Sequence, residues 1–222
     1  MEDTVFKQRV IVYVDGFNFY YGLKKYEWEK YYWLDMVKFF ESFMGTNQEL
    51  VAVKYFSAKV ADLEKGIRQN AFFQANRQNI KFKLILGKYL KKEIECFKCH
   101  HIIRTYEEKE TDVRIATQII VDAYQRNCDA AIVVSADSDL IPAIELSYEV
   151  DHKVHIWFPP SQHSSNLTVM GSGRPLYLQH YEARFRQSIF PDTVHLRFSN
   201  FDLNIPEKWK NFQKHGKKED NP

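Results

Sequence analysis

Val10-Ile11-Val12-Tyr13-Val14-Asp15-Gly16 and Ala130-Ala131-Ile132-Val133-Val134-Ser135-Ala136-Asp137 are two apolar runs that each lead into an acid. Each run is short, rich in β-branched residues and almost unbroken. That pattern predicts strands buried on both faces, as in a parallel sheet covered by helices. Three further runs read the same way: Val51–Phe56, Phe82–Leu86 and Val154–Phe158, the last stopped by Pro159-Pro160. The spacers carry helical patterns. Asp35 is a plausible N-cap for a helix over residues 35–44, and a helix over 61–79 is expected to bury Leu63, Ile67 and Ala71. Further helices are expected over 110–126 and 138–149. Strands alternating with helices predict a mostly parallel sheet of about five strands with right-handed crossovers. In such sheets ligands sit at the carboxyl edge, near the switch in strand order.

Composition bounds the rest. The 222 residues carry a net charge of only +2, so any basic surface must be local. Three cysteines do not make a disulfide framework, and the acidic start Met1-Glu2-Asp3-Thr4 is unlike a secretory leader. No apolar run approaches the roughly 18 residues that span a membrane. A reducing cytoplasm is the expected home. We expect one main unit over residues 1–180 and a C-terminal extension over 181–222, whose end, Lys208 to Pro222, holds five Lys and reads as a mobile tail.

The candidate site is a set of acids. Asp15 ends the first run, and Asn18 stands three residues on, where it can orient the carboxylate or simply cap a helix. Ser135-Ala-Asp137-Ser-Asp139 packs two acids and two hydroxyls into one strand-to-helix turn, more than capping needs. Asp112 opens a helix, and with Ala116, Ile119 and Ala123 it extends what reads as the buried stripe. The bland alternative is an acid placed at a helix start by the macrodipole. Carboxylates brought together as bare anions repel, and they usually hold a hard cation.

Three blocks, Val-Tyr-Val-Asp15-Gly-Phe-Asn18, Lys109-Glu-Thr-Asp112-Val-Arg-Ile-Ala116 and Val-Val-Ser135-Ala-Asp137-Ser-Asp139-Leu-Ile-Pro142-Ala-Ile144, together resemble the signature of the NYN domain, a branch of the PIN-like nuclease superfamily. Pro159-Pro-Ser161, Ser165-Asn-Leu167 and Ile205-Pro-Glu-Lys-Trp209 are similar to later parts of the family. The resemblance implies a PIN-like three-layer α/β/α sandwich that cuts RNA with Mg²⁺ or Mn²⁺. It implies that Asp15, Asp112, Asp137 and Asp139 hold the metal, with Asn18 and Ser135 as polar accessories. Many members carry a further acid where this chain has Gln118, and Asp122, one turn on, is a candidate substitute. A catalytically weak RNA-binding or protein-interaction module on the same fold is the alternative. A nucleotide binder is disfavoured, because no Gly-rich phosphate loop is present. The substrate is expected to be single-stranded or structured RNA. Cleavage of DNA and the oligomeric state stay open.

Residues 88–108 form a polar, partly β insert. Cys96-Phe-Lys-Cys99 with His100 resembles part of a tetrahedral zinc site, but the second half is missing, and free thiols in a hairpin are the expected reading. Residues 81–104 hold six Lys and one Arg against two Glu. Lys88, Lys91, Lys92, Lys98, Arg104 and Lys109 are therefore the candidate RNA-binding residues, although edge lysines also protect exposed strands. Charge reversal at both Lys91 and Lys92 is expected to weaken RNA binding and flatten its salt dependence; an unchanged affinity in fluorescence anisotropy rules this surface out.

Overall fold

The computed structural model describes residues 6–95, 97–197 and 199–215, and the side chains of residues 89–91, 94, 103–108 and 215 lie outside that description. In chain order the strands are β1 (Gln8–Asp15), β2 (Gln48–Ser57), β3 (Phe82–Leu86), β4 (Lys88–Glu95), β5 (Ile102–Lys109), β6 (Ala130–Val134), β7 (Lys153–Phe158), β8 (Leu176–Tyr177), β9 (Thr193–Leu196) and β10 (Phe201–Asn204). The helices are α1 (Gly16–Lys25), α2 (Met36–Glu41), α3 (Leu63–Asn76), α4 (Thr111–Tyr124), α5 (Ile141–Tyr148), α6 (Ser165–Thr168), α7 (Glu182–Gln187) and α8 (Glu207–His215).

Six strands make one parallel sheet in the order β3-β2-β1-β6-β7-β8. The five expected strands are all in it. The sixth, β8, is two residues long, too short to carry a periodic signal. The chain builds outward from β1 to β3, then returns to the other side of β1. The switch in strand order therefore falls between β1 and β6. The intervening insert is an antiparallel hairpin, β4 with β5.

Alternation along β1 decides the layers. Val10, Val12 and Val14 face one side, where Phe19 of α1, Phe39 of α2 and Phe73 of α3 pack. Ile11 and Tyr13 face the other, against Ile115 of α4 and Ile144 of α5. Helices thus cover both faces of the sheet, giving the α/β/α sandwich. Gly16 follows β1 because a Cβ there would sit 2.5 Å from the Phe56 carbonyl oxygen and 2.6 Å from the Tyr55 ring.

One expectation is corrected. Leu63 and Ile67 of α3 are exposed, at 79% and 63%. The packed half of that helix starts only at Ala71, where Phe72 and Phe73 meet Tyr55. Part of the C-terminal extension packs on the core. Phe185 of α7 lies 4.3 Å from Phe39 between ring centroids, and Trp209 of α8 lies 5.6 Å from Tyr32. Burial of Trp209 seats the amphipathic α8 against the sheet's aromatic side. Residues 216–222 lie outside the described residues. Among the described residues no helix is long and apolar enough to cross a membrane.

Beneath α4 lies a buried polar network. Asp122, 1% exposed, accepts from Tyr13 Oη at 2.6 Å and Asn127 Nδ2 at 2.9 Å. It also accepts from Gln118 Nε2 and pairs with Lys54 Nζ. Burial alone would raise the Asp122 carboxyl. The donors from Lys54, Tyr13 and Asn127 together outweigh it and hold the carboxyl below its usual value. Replacing Asp122 by Asn leaves the partly buried Lys54 without its counter-charge. Urea unfolding at neutral pH is expected to show a loss of about 3 kcal/mol. Because the folded value is depressed, this stabilisation is complete above the unfolded value of about 3.9. It disappears as the pH falls through the folded value, so the gap between wild type and Asp122→Asn closes in strong acid.

Candidate active site

The carboxyl edge at the β1/β6 switch gathers the expected acids. Asp15, 4% exposed, ends β1 and caps α1. Its Oδ1 accepts from the backbone N–H groups of Phe17 and Asn18 at 3.1 and 3.0 Å. Its Oδ2 accepts from Asn18 Nδ2 at 2.6 Å and Ser135 Oγ at 2.9 Å. Asp15 therefore caps α1, but capping uses only one of its two oxygens. Ser135, fully buried at the end of β6, also accepts from the Asp137 backbone N–H at 3.0 Å. Asn18 Oδ1 receives the Ala136 backbone N–H at 3.4 Å. Asn18 and Ser135 therefore stitch the two strand ends together through Asp15. Burial raises the Asp15 carboxyl. The bonds from Asn18 and Ser135 work against that rise, and repulsion from Asp137 adds to it.

Asp137 is half-buried, and its Oδ1 accepts from the Asp139 backbone N–H at 2.9 Å, capping a 3-10 turn. Asp139 is exposed. Asp112 is also exposed, which corrects its expected place in the buried stripe. The buried residues of α4 are Thr111, Ile115, Ile119, Asp122 and Ala123, so Ile119 and Ala123 of the expected stripe are buried, while the first turn buries Thr111 in place of Asp112. Partial burial raises the Asp112 carboxyl, and repulsion from Asp137, Asp15 and Asp139 raises it further. The helix start thus feels all three other acids. Of the four acids, Asp15 is buried, Asp137 is half-buried, and Asp112 and Asp139 are exposed.

The donors are hard oxygens, a set suited to Mg²⁺ or Mn²⁺ rather than to soft metals. Among the described residues no group of three or more His, Cys, Asp or Glu is drawn together to hold an ion. Asp15 is held inward by four donors. A divalent cation is the species that would offset the repulsion among the acids.

The other candidates fare unevenly. Gln118 and Asp122 belong to the buried network with Lys54, so neither faces the crevice as an accessory. Lys88 pairs with Glu110 at 2.7 Å. Lys92, Lys98 and Lys109 are exposed, while the side chains of Lys91 and Arg104 lie outside the described residues. Cys96 lies outside them too. Cys99 is a free, exposed thiol, and His100 Nδ1 meets the Glu95 carboxylate. Sequence reasoning missed an aromatic cleft beside Gly16, lined by Tyr20, Tyr32 and Tyr55 and edged by Lys24 and Arg68. The Tyr31-Tyr32 pair and the Tyr20-Tyr21 pair were its only signals.

A family model described as the NYN domain matches residues 9–169. Over 173 residues the chain is 27% identical to 6-hydroxy-3-succinoylpyridine 3-monooxygenase HspA of Pseudomonas putida, an alignment that covers 62% of this chain and 55% of that protein. The chain therefore spans about half the length of this curated relative. A crystal structure of a protein of unknown function from Vibrio parahaemolyticus shares the fold, with a TM-score of 0.54, 19% identity and coverage of 80% of this chain and 96% of that one.

Replacing Asp112 by Asn removes one of the repelling charges without removing a described hydrogen bond. In EDTA the variant is expected to melt higher than wild type, by a few degrees for roughly 1 kcal/mol. A lower melting temperature by scanning calorimetry would show that Asp112 is held by favourable contacts instead.

Proposed function

The chain belongs to the NYN domain family of the PIN-like nuclease superfamily, and from that premise we propose that it is a metal-dependent ribonuclease. The observation that carries the proposal is the meeting of Asp15, Asp137 and Asp139 at one sheet edge, joined through Ser135, with Asp112 close enough at the start of α4 to be repelled by all three. An edge with that much unrelieved negative charge is suited to a divalent cation and, through it, to a phosphodiester. Asp112, Asp137 and Asp139 would hold Mg²⁺ or Mn²⁺ at the mouth, with Asp15 beneath them. When bound, the metal supplies a water activated for attack and offsets charge on the scissile phosphate.

The chain's own residues set the stage. Ser135 and Asn18 fix the buried Asp15 carboxylate so that it does not rotate away from the crevice. Asp137 is held by its own capping bond and by Ser135. The acids must be ionised to serve as ligands. Burial raises both Asp15 and Asp112, so activity should fall on acidification sooner than ordinary carboxylates would dictate. The exposed lysines Lys92, Lys98 and Lys109 of the β4/β5 hairpin and its exit offer a local attraction for a phosphate backbone on a chain of small net charge.

A second reading, a catalytically weak RNA-binding or protein-interaction module, is favoured by one observation. The Asp15 carboxylate is already met by four protein donors. A labelled single-stranded RNA incubated with pure protein and Mn²⁺ separates the two. The nuclease predicts cleavage that EDTA abolishes and that Asp15→Asn or Asp112→Asn lowers by at least about a hundredfold. A folded protein that leaves several RNAs and single-stranded DNA intact, and whose melting temperature ignores Mn²⁺, would establish the module.

A further inference from the structure

Beside the carboxylate edge, on the side of β2 and α3, an open cleft is lined by Gly16, Tyr20, Tyr32, Tyr55, Phe72 and Trp209 among others. The cleft adjoins the acids directly. Gly16 follows Asp15 in the chain, and Tyr55 Oη donates to the Gly16 carbonyl at 3.3 Å. The Tyr55 phenol is raised by burial and then by the charge of Asp15.

Its walls and its mouth differ in chemistry. Tyr20 and Tyr32 stack at 4.7 Å between ring centroids, 17° from parallel. Tyr21, half exposed, meets Tyr20 edge-on at 5.3 Å. Lys24, Lys65 and Arg68 stand at the rim. The only carboxylate that meets this trio in a described ion pair is Glu64, 3.6 Å from Arg68 and itself almost fully exposed. One polar atom in the cleft wall is unexplained. Tyr32 is 7% exposed, and its hydroxyl has no hydrogen-bond partner. Burial raises the Tyr32 phenol, and the neighbouring Tyr20 hydroxyl raises it further by charge and by a hydrogen-bonding approach that falls short of full hydrogen-bond geometry. An orphaned buried hydroxyl costs free energy unless a ligand or water meets it.

From these residues we infer that the cleft is a nucleotide subsite: it takes the base of the residue next to the scissile phosphate against its tyrosines, and Lys24, Lys65 and Arg68 take the adjoining phosphate. Aromatic walls suit a flat π-system, the Tyr32 hydroxyl supplies a hydrogen bond to a base edge, and the cationic rim suits an anion. The inference deepens the ribonuclease reading and rests on it for the identity of the occupant. It gives that site a reason to prefer some bases over others, which the acids alone do not supply.

The test is equilibrium binding of nucleoside 5′-monophosphates to the full chain in EDTA, where cleavage is silent. Nucleoside monophosphate should bind about tenfold more tightly than ribose 5-phosphate, which lacks the base. Arg68→Glu should weaken binding about tenfold and flatten its salt dependence. Tyr32→Phe, which keeps the ring and the packing, should weaken binding of at least one base by about threefold and leave ribose 5-phosphate unchanged. Equal binding of ribose 5-phosphate and nucleotide, or wild-type binding by both cleft variants, overturns the subsite. Tighter binding of nicotinate than of any nucleotide overturns it in favour of a small heteroaromatic acid. Nucleotide binding without metal-dependent cleavage keeps the subsite and sinks the nuclease; cleavage untouched by the cleft variants does the reverse.

Discussion

A hydrogen bond between two buried side chains crosses the place where the sheet changes direction. Ser135 Oγ, at the end of β6, donates to Asp15 Oδ2, at the end of β1. A parallel sheet diverges there because the two strands lead into helices on opposite faces. The resulting crevice would leave a buried carboxylate without counter-charge, which is costly. Ser135 and Asn18 meet that cost with donors rather than with a cation. They leave the negative charge in place and fix its direction. Everything else at the edge is arranged around this anchored anion: Asp137 hangs from Ser135, and Asp112 faces the group from α4.

Much of this was legible in the sequence. Unbroken apolar runs located five of the six sheet strands, because a strand covered on both faces has no polar alternation to confuse it. The acids at the ends of those runs located the edge. What failed did so for identifiable reasons. Helical periodicity placed Asp112 in the buried stripe, yet a phase error of one residue moves a side chain by about 100°. Thr111 is the buried member, and Asp112 is free to face the other acids. Leu63 and Ile67 matched the period of a packed helix, but no part of the sheet lies beneath the first turns of α3. Asp122 looked like a spare catalytic acid from its spacing alone. Its partners, Tyr13 on β1 and Lys54 on β2, are far away in sequence and could not be read from the helix.

The aromatic cleft shows a different limit. Tyr20, Tyr32, Tyr55, Phe72 and Trp209 come from five separate segments. Each alone reads as packing, and most of the molecule's aromatic residues are packing. Only their convergence next to Gly16, with an unpartnered hydroxyl and three cations, marks the place as more than core.

The match to the family stops at residue 169, but the packed core does not. Phe185 touches Phe39 and Phe19 from outside that span, Trp33 Nε1 donates to the Pro191 carbonyl, and Trp209 closes over Tyr32. A fragment cut at the family boundary would keep every acid of the edge. It would also uncover the aromatic side of the sheet and remove one wall of the cleft. Silence from such a fragment would therefore measure a broken hydrophobic seal, not the competence of the carboxylates.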